Sequence, residues 1–294
     1  MYYLIATILL NVVISVILKQ FARFKINALQ AIVANYWVCV ITGSLFIGRT
    51  PFTSVAVSAP WFPWALMMGA GFICVFNLIA YCTRVDGITT ATVANKLSLI
   101  IPVLFSLFLY SEHISIGKGI GIILAFPAVY LTTRVKDEEN KIQNFLWPAL
   151  LFLGSGMLDT LVKFVQIRFL PEADVQALFT TCCFAAAGTI GVIVVTTLLI
   201  LKKQTFQWRN IIAGICVGIP NYFSIYYLIR MLHSGVLQSS AAIPVNNIGI
   251  LVVSSLVAIL FFKERANTLR IIGLVLSILA ILLIAFGDVY GGRV

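Results

Sequence analysis

The chain has 294 residues, of which 61% are apolar and only 10% charged, whereas soluble domains run at roughly 45–50% and about 25%. So few charges cannot cover a soluble surface, and the same figures exclude a disordered, collagen-like or disulfide-stapled secreted chain. Twenty Lys and Arg against ten Asp and Glu give a formal charge of +10. Most of the basic residues lie in short connections, so they bear on membrane orientation and not on nucleic acid, for which no motif is present.

Apolar runs of about 20 residues, the length that crosses a bilayer as a helix, recur ten times: 2–20, 28–48, 62–83, 88–110, 115–133, 145–167, 175–201, 211–232, 236–262 and 268–287. The runs are continuous, not alternating, and too long for barrel strands. Connections are a few residues long apart from 49–61 and the charged 134–144, so no soluble domain is expected. Met1-Tyr2-Tyr3 enters the first run with no basic stretch before it, so no cleaved signal peptide is expected. Polar side chains punctuate particular runs: Asn11 and Ser15 in the first, Asn35, Tyr36 and Trp37 in the second, Asn77 and Tyr81 in the third, Asn95 and Lys96 in the fourth. The sixth carries Asp159 and Lys163, the eighth Asn221, Tyr222 and Tyr226, and the ninth Ser239, Ser240, Asn246 and Asn247. Pro102, Pro220 and Pro244 can break the fourth, eighth and ninth helices. Gly117 and Gly121, continued by Ala125 and echoed by Gly273 and Ser277, read as small-residue packing stripes, not as a phosphate loop. The six cysteines all fall inside apolar runs without metal-ligand spacing, and neither a metal nor a cofactor is expected.

The two halves resemble each other. Ser15 corresponds to Asp159, Lys19 to Lys163 and Asn77 to Asn221 at an offset of 144, while Asn95 corresponds to Asn247, Glu112 to Glu264 and Gly121 to Gly273 at 152. Five helices is an odd number, so the second unit must lie inverted. The expected fold is an all-α integral membrane protein of ten transmembrane helices in two five-helix inverted repeats, 1–136 and 145–294, with a substrate site near the midplane between them.

Pro102, Glu112 and Gly121 in the first half, with Glu264 and Gly273 in the second, carry a resemblance to the drug/metabolite transporter superfamily, EamA-type. The second half has no proline matching Pro102. The resemblance spans nearly the whole chain and implies alternating access, a central cavity walled by the first four helices of each repeat, and peripheral fifth and tenth helices. It also implies the inner membrane of a bacterium, with both termini in the cytoplasm. Charge points the other way. Thirteen Lys and Arg follow odd-numbered helices and six lie on the other side, with Lys96 inside a helix, so the positive-inside rule puts the termini outside.

An ionisable residue at membrane depth faces a cavity or a partner, which singles out Asp159 and Lys96. Asp159 could instead pair with Lys163 one turn on, and Lys96 could snorkel. Asp159, Lys96, Asn77, Tyr81, Asn95, Asn221, Tyr226, Asn247 and Trp37 are the expected substrate-binding residues, with no catalytic residue among them. Glu112 and Glu264 are expected to cap or pair near each repeat's last helix. The reading is a secondary transporter, an exporter in direction, of a small polar or amphipathic metabolite. Its partners are the solute, the lipid bilayer and a candidate coupling proton, with a homodimer through the small-residue helices as a further expectation. The alternative is an integral membrane lipid- or prenyl-modifying enzyme. A channel is a third class, without a filter motif.

Overall fold

A computed structural model describes residues 2–48, 50, 57–102, 104–105, 116–133, 145–169, 173–233, 239–264 and 267–290. Ten helices follow in chain order: α1 (Tyr2–Arg23), α2 (Ala28–Ile47), α3 (Phe62–Val85), α4 (Ile88–Leu97), α5 (Ile116–Thr133), α6 (Leu146–Phe169), α7 (Ala173–Ile200), α8 (Trp208–His233), α9 (Ser239–Phe262) and α10 (Thr268–Tyr290). No strand occurs among the described residues. Six segments are long and apolar enough to cross a membrane: Tyr2–Arg23, Ala28–Phe46, Phe62–Val85, Leu178–Ile200, Trp208–Leu228 and Val245–Phe262. Gly119–Thr132, Leu146–Val162 and Thr268–Ile284 are shorter apolar helices.

The fourth run departs from the expected 88–110 helix. α4 stops at Leu97, Ser98 and Leu99 turn, and helical backbone resumes at Ile100. Pro102 explains the break. It has no N–H to offer the carbonyl of Ser98 four residues back, and its ring crowds that carbonyl. The Ser98 carbonyl accepts from Ile101 N at 2.9 Å instead, a tighter i−3 bond. Ser98 Oγ donates to the Asn95 carbonyl at 2.6 Å and ties off one end of α4. Pro220 and Pro244 do not interrupt α8 and α9, which run through them.

Close helix crossings rest on small residues. A Cβ at Gly214 of α8 would lie 2.4 Å from the Ala31 carbonyl of α2, so only glycine permits that approach. The glycine stripes of α5 and α10 meet each other within one chain. A Cβ at Gly121 would lie 2.9 Å from the Ala280 carbonyl, and one at Gly273 would lie 2.8 Å from the Thr132 backbone nitrogen. Elsewhere α2 packs on α8 and α7, α3 on α7 and α6, α1 on α8 and α9, and α4 on α9 and α6.

Four apolar clusters result among the described residues, two of them much larger than the others. Leu97, Leu151, Leu251 and Ile281 belong to one of the larger two, and Leu18, Ile32, Phe184 and Val217 to the other. The outer faces are apolar as well: Leu45 is 80% exposed, Phe261 77% and Ile200 75%. Soluble monomers rarely carry contiguous apolar surface of this kind.

Candidate functional site

Between the two larger clusters lies a small cavity of about 90 Å³, walled by α1, α3, α4, α8 and α9. Asn11 and Ser15 enter it from α1, one turn apart and so on one face. α4 contributes Thr92, Asn95 and Lys96, α3 contributes Thr83, and α8 contributes Asn221. Apolar groups such as Ile14, Phe76 and Ile250 complete the wall.

The hydrogen bonds of the three asparagines leave a pattern. Asn11 Nδ2 donates to the Thr7 carbonyl at 2.9 Å, Asn95 Nδ2 to Ser155 Oγ at 3.0 Å, and Asn221 Nδ2 to Asn35 Oδ1 at 3.1 Å. Each amide thus spends a donor on the protein. Asn221 Nδ2 also donates to Cys39 Sγ at 3.6 Å. No described residue donates to the three amide oxygens, and Asn11 and Asn95 each keep a second N–H as well.

Lys96 is partly exposed in that cavity and sits in the last turn of α4. The carbonyl end of the helix carries partial negative charge there, which favours a cation. Among the described residues Lys96 forms no hydrogen bond and no ion pair within 4.0 Å. Its electrostatic partner is Asp159 of α6. The Asp159 side chain is exposed on α6 and lines no cavity described for the chain. The side chain of Lys163, the alternative partner for Asp159, lies outside the described residues.

The nine expected site residues are therefore divided. Lys96, Asn95 and Asn221 converge on the cavity, with Asp159 electrostatically coupled to Lys96. Asn77 and Tyr81 line a separate, open recess of about 560 Å³ with Trp147 and Arg84. Asn77 Nδ2 donates to the Ile73 carbonyl on its own helix at 2.8 Å, and the Tyr81 ring packs 4.8 Å from Trp147 with the Arg84 guanidinium 5.6 Å away. Trp37 packs on Gly188 of α7, so close that a Cβ there would be 3.0 Å from the indole nitrogen. Tyr226 stacks edge-on at 4.8 Å against Phe46. Asn247 lies half-buried on α9, outside the cavity wall.

A charged cluster lies next to the cavity that sequence reasoning did not assemble. One residue beyond Leu18, three beyond Thr83 and two before Thr92, the chain places Lys19, Asp86 and Thr90. They meet Glu264 from the α9–α10 connection and Arg270 from the first turn of α10. Glu264 Oε1 accepts from Ile88 N at 2.7 Å, Oε2 accepts from Thr89 Oγ1 at 3.2 Å, and Arg270 Nη1 lies 3.4 Å from Oε2. Lys19 Nζ is 3.9 Å from Oε1 and also donates to the Arg84 carbonyl at 3.4 Å. Glu264 thus caps the N-terminus of α4, where the N-cap is Gly87 at φ +97 with no capping side chain of its own. A Cβ at Gly87 would lie 2.7 Å from the carboxylate.

The expected capping and pairing role of Glu264 is what the geometry gives, with a helix of the other half as the one capped. Glu112 lies outside the described residues. Asp86 is buried, and burial pushes its carboxyl up to about 6; the Cys82 thiol and Lys19 pull the other way. The signal in the sequence was the Asp86-Gly87 pair just before the fourth run, a turn that leaves a helix N-terminus wanting an acceptor.

No family model matches the chain. It is similar to a protein of Haemophilus influenzae described only as uncharacterized, with 28% identity over 296 residues, covering 98% of this chain and 99% of that one. A crystal structure superposes with a TM-score of 0.58 at 12% identity, over 97% of each chain. That likeness is one of fold alone.

Proposed function

We propose that the chain spans a membrane as two five-helix inverted repeats and carries a small polar metabolite across it by alternating access, as its resemblance to the drug/metabolite transporters suggests. The observation that carries the reading is the cavity itself. A cation, three amides and three hydroxyls are gathered between helices of both halves, inside a protein whose outer faces are apolar. Lipid would not tolerate those groups without a solute or water to meet them.

Helix contacts support the repeat. Exchanging the halves turns α2–α8 into α7–α3, α1–α8 into α6–α3, and α1–α9 into α6–α4, and all six pairs are in contact. α5–α10, α4–α9 and α2–α7 map onto themselves and are in contact too. The charged cluster around Glu264 ties α1, the α3–α4 connection and α10 together at one end of the cavity. Opening the cavity to that side requires parting it. Basic residues are concentrated at this end, which the positive-inside rule assigns to the cytoplasm. The bacterial relative favours a bacterial plasma membrane as the setting.

The test is counterflow. Proteoliposomes holding unlabelled solute should accumulate labelled solute from outside, and Lys96→Gln should abolish this while the variant remains monodisperse. A panel of small metabolites that never exchanges would overturn the reading.

A further inference from the structure

Away from the polar cavity, a groove of about 720 Å³ runs along the outer face between α1 and α9. We infer that this groove binds one anionic phospholipid, its phosphate on Lys19 and Arg23 and one acyl chain along the apolar floor. Such a site requires only that the helices lie in a bilayer, whatever the chain carries across it.

The helix crossing makes the groove. α1 and α9 meet closely where Gly249 faces Ile8, and a Cβ on that glycine would collide with the Ile8 side chain. Beyond the crossing Val12, Val16, Val257 and Phe261 line the space between the helices, with Lys19 and Arg23 at its end. Val13 and Phe261 on its lips are exposed. At about 1.5 Å per residue, the stretch from Val12 to Arg23 is about 16 Å long. Half of a hydrocarbon core of about 30 Å is nearly the same. The groove is thus as long as one leaflet is deep, and its charged end lies where α1 leaves the apolar layer. Its volume falls within the roughly 300–1,000 Å³ of small-molecule sites, enough for one chain while the other stays in the bilayer.

Charge selects the headgroup. Lys19 and Arg23 stand four residues apart on one helix and so share a face. Arg23 forms no hydrogen bond or ion pair among the described residues; its guanidinium lies 5.9 Å from the Phe24 ring. Lys19 Nζ makes only long contacts, 3.4 Å to the Arg84 carbonyl and 3.9 Å to Glu264. Glu264 is already held by Ile88 N, Thr89 and Arg270, so positive charge remains at the end of the groove. The Gln20 amide between the two cations is uncommitted among the described residues and offers N–H groups to a phosphate or ester oxygen. No acidic side chain is among the groove's described lining residues.

An anionic lipid answers both parts, since basic residues at a membrane surface attract it and the floor takes its chain. A zwitterionic lipid brings an ammonium toward two cations. A second copy of the chain, related by a two-fold axis along the bilayer normal, would bring its own Lys19 and Arg23 to the same level and be repelled.

Native mass spectrometry of the full chain tests this. The protein, stripped of lipid in detergent, is offered equimolar phosphatidylglycerol and phosphatidylcholine with the same acyl chains. We expect one phosphatidylglycerol per chain, preferred by about fivefold or more. Arg23→Gln should cut its retention about fivefold and Lys19→Gln/Arg23→Gln further. Val16→Trp, which fills the floor and leaves both cations, should also lose the lipid. The charge-matched control Lys202→Gln/Lys203→Gln, at the end of α7, should retain it. Soluble sn-glycerol 3-phosphate should not displace it.

Equal retention of the two lipids, an equal loss in the charge-matched control, or displacement by glycerol phosphate would overturn the inference. Undiminished retention in Val16→Trp would do the same by reducing the effect to surface charge. A dimer that forms without lipid and that Val16→Trp disperses would assign the groove to a second copy instead. If the double variant does not fold, Arg23→Gln and Val16→Trp still decide. Counterflow plays no part in these measurements, so a failure here leaves the transport reading untouched, and a failure of transport leaves the lipid site standing.

Discussion

Replacing Glu264 tests how far a single carboxylate holds the two halves together. In Glu264→Ala, the Ile88 N–H and the Thr89 hydroxyl lose their acceptor at 2.7 and 3.2 Å, and Arg270 loses its carboxylate at 3.4 Å. Loss of a helix cap costs about 1 kcal/mol. Removing one partner of a buried ion pair costs about 3–5 kcal/mol, and both side chains here are less than a tenth exposed. The lower end applies, because Arg270 keeps the Asp86 carbonyl at 3.3 Å and Thr90 Oγ1 at 3.4 Å. The sum is about 4 kcal/mol. At roughly 2–4 °C per kcal/mol for a chain of this size, unfolding followed by intrinsic tryptophan fluorescence at a fixed scan rate should drop by about 10 °C. Glu264→Gln keeps one acceptor for Ile88 N–H and should lose about half as much. In the double variant with Arg270→Ala the losses should fall short of additive by at least about 1 kcal/mol. A Glu264→Ala protein that melts within about 1 °C of the original, or strict additivity with Arg270→Ala, would refute the capping and pairing account. So would a Glu264→Gln protein of unchanged stability that no longer transports.

Other outcomes follow from the same geometry. Asp86, buried with its carboxyl pushed up to about 6, favours its protonated form in the folded chain, so its cost is present above that value and relieved as pH falls toward the ordinary 3.8. Acidifying from pH 7.5 to 5 should therefore add about 1 kcal/mol of stability from this group, and Asp86→Asn should remove that gain; an unchanged pH profile of melting would contradict it. Gly87→Ala forces a side chain to φ +97 and against the Glu264 carboxylate, which should cost about 2 kcal/mol, read as a lowered melting temperature. Asp159→Asn should raise the substrate KM at least several-fold with the protein still folded, and full activity in both Asp159→Asn and Lys96→Gln would show that neither meets the solute.

The helices were legible because continuous apolar runs of spanning length leave little freedom, and nine of the ten appear with ends displaced by only a few residues. α4 was the exception. Pro102 was visible, but whether a proline kinks or ends a helix depends on what replaces the missing bond, and here Ser98 and Ile101 supply the substitute. Pro220 passes without a break, so the residue type alone does not decide.

In the candidate site, Lys96, Asn95 and Asn221 could be picked out because charge and amides are rare at that depth. Tyr226, Trp37 and Tyr81 could not be told from packing residues, since an aromatic ring serves a cavity wall and a helix contact equally well. Their neighbours Phe46, Gly188 and Trp147 are distant in sequence. The cluster around Glu264 was illegible for the same reason: its acceptor and its donors lie 175 or more residues apart, apart from Arg270.

The proposed repeat would account for the uneven cavity wall. Under the offset that pairs the halves, Ser15 corresponds to Asp159 and Asn221 to Asn77. Ser15 and Asn221 line the cavity; Asp159 and Asn77 do not, and Asn77 instead borders the open recess beside α6. A protein whose halves exchange conformations would exchange these roles. The wall built from Ser15 and Asn221 would loosen as one built from Asp159 and Asn77 closed. Lys96 has Ile248 as its counterpart, so in the proposed exchange it would have no symmetric substitute and would have to serve both arrangements. Its position at the broken end of α4 suits that task. Under the proposed mechanism, a helix that ends at Leu97 would be able to tilt about the Ser98–Leu99 turn, and the ammonium would stay with the solute while the walls change. A continuous helix through that position would couple Lys96 rigidly to one half. On the proposed transport reading, the break at Pro102 is the local feature that would let a single unsymmetric charge serve both arrangements.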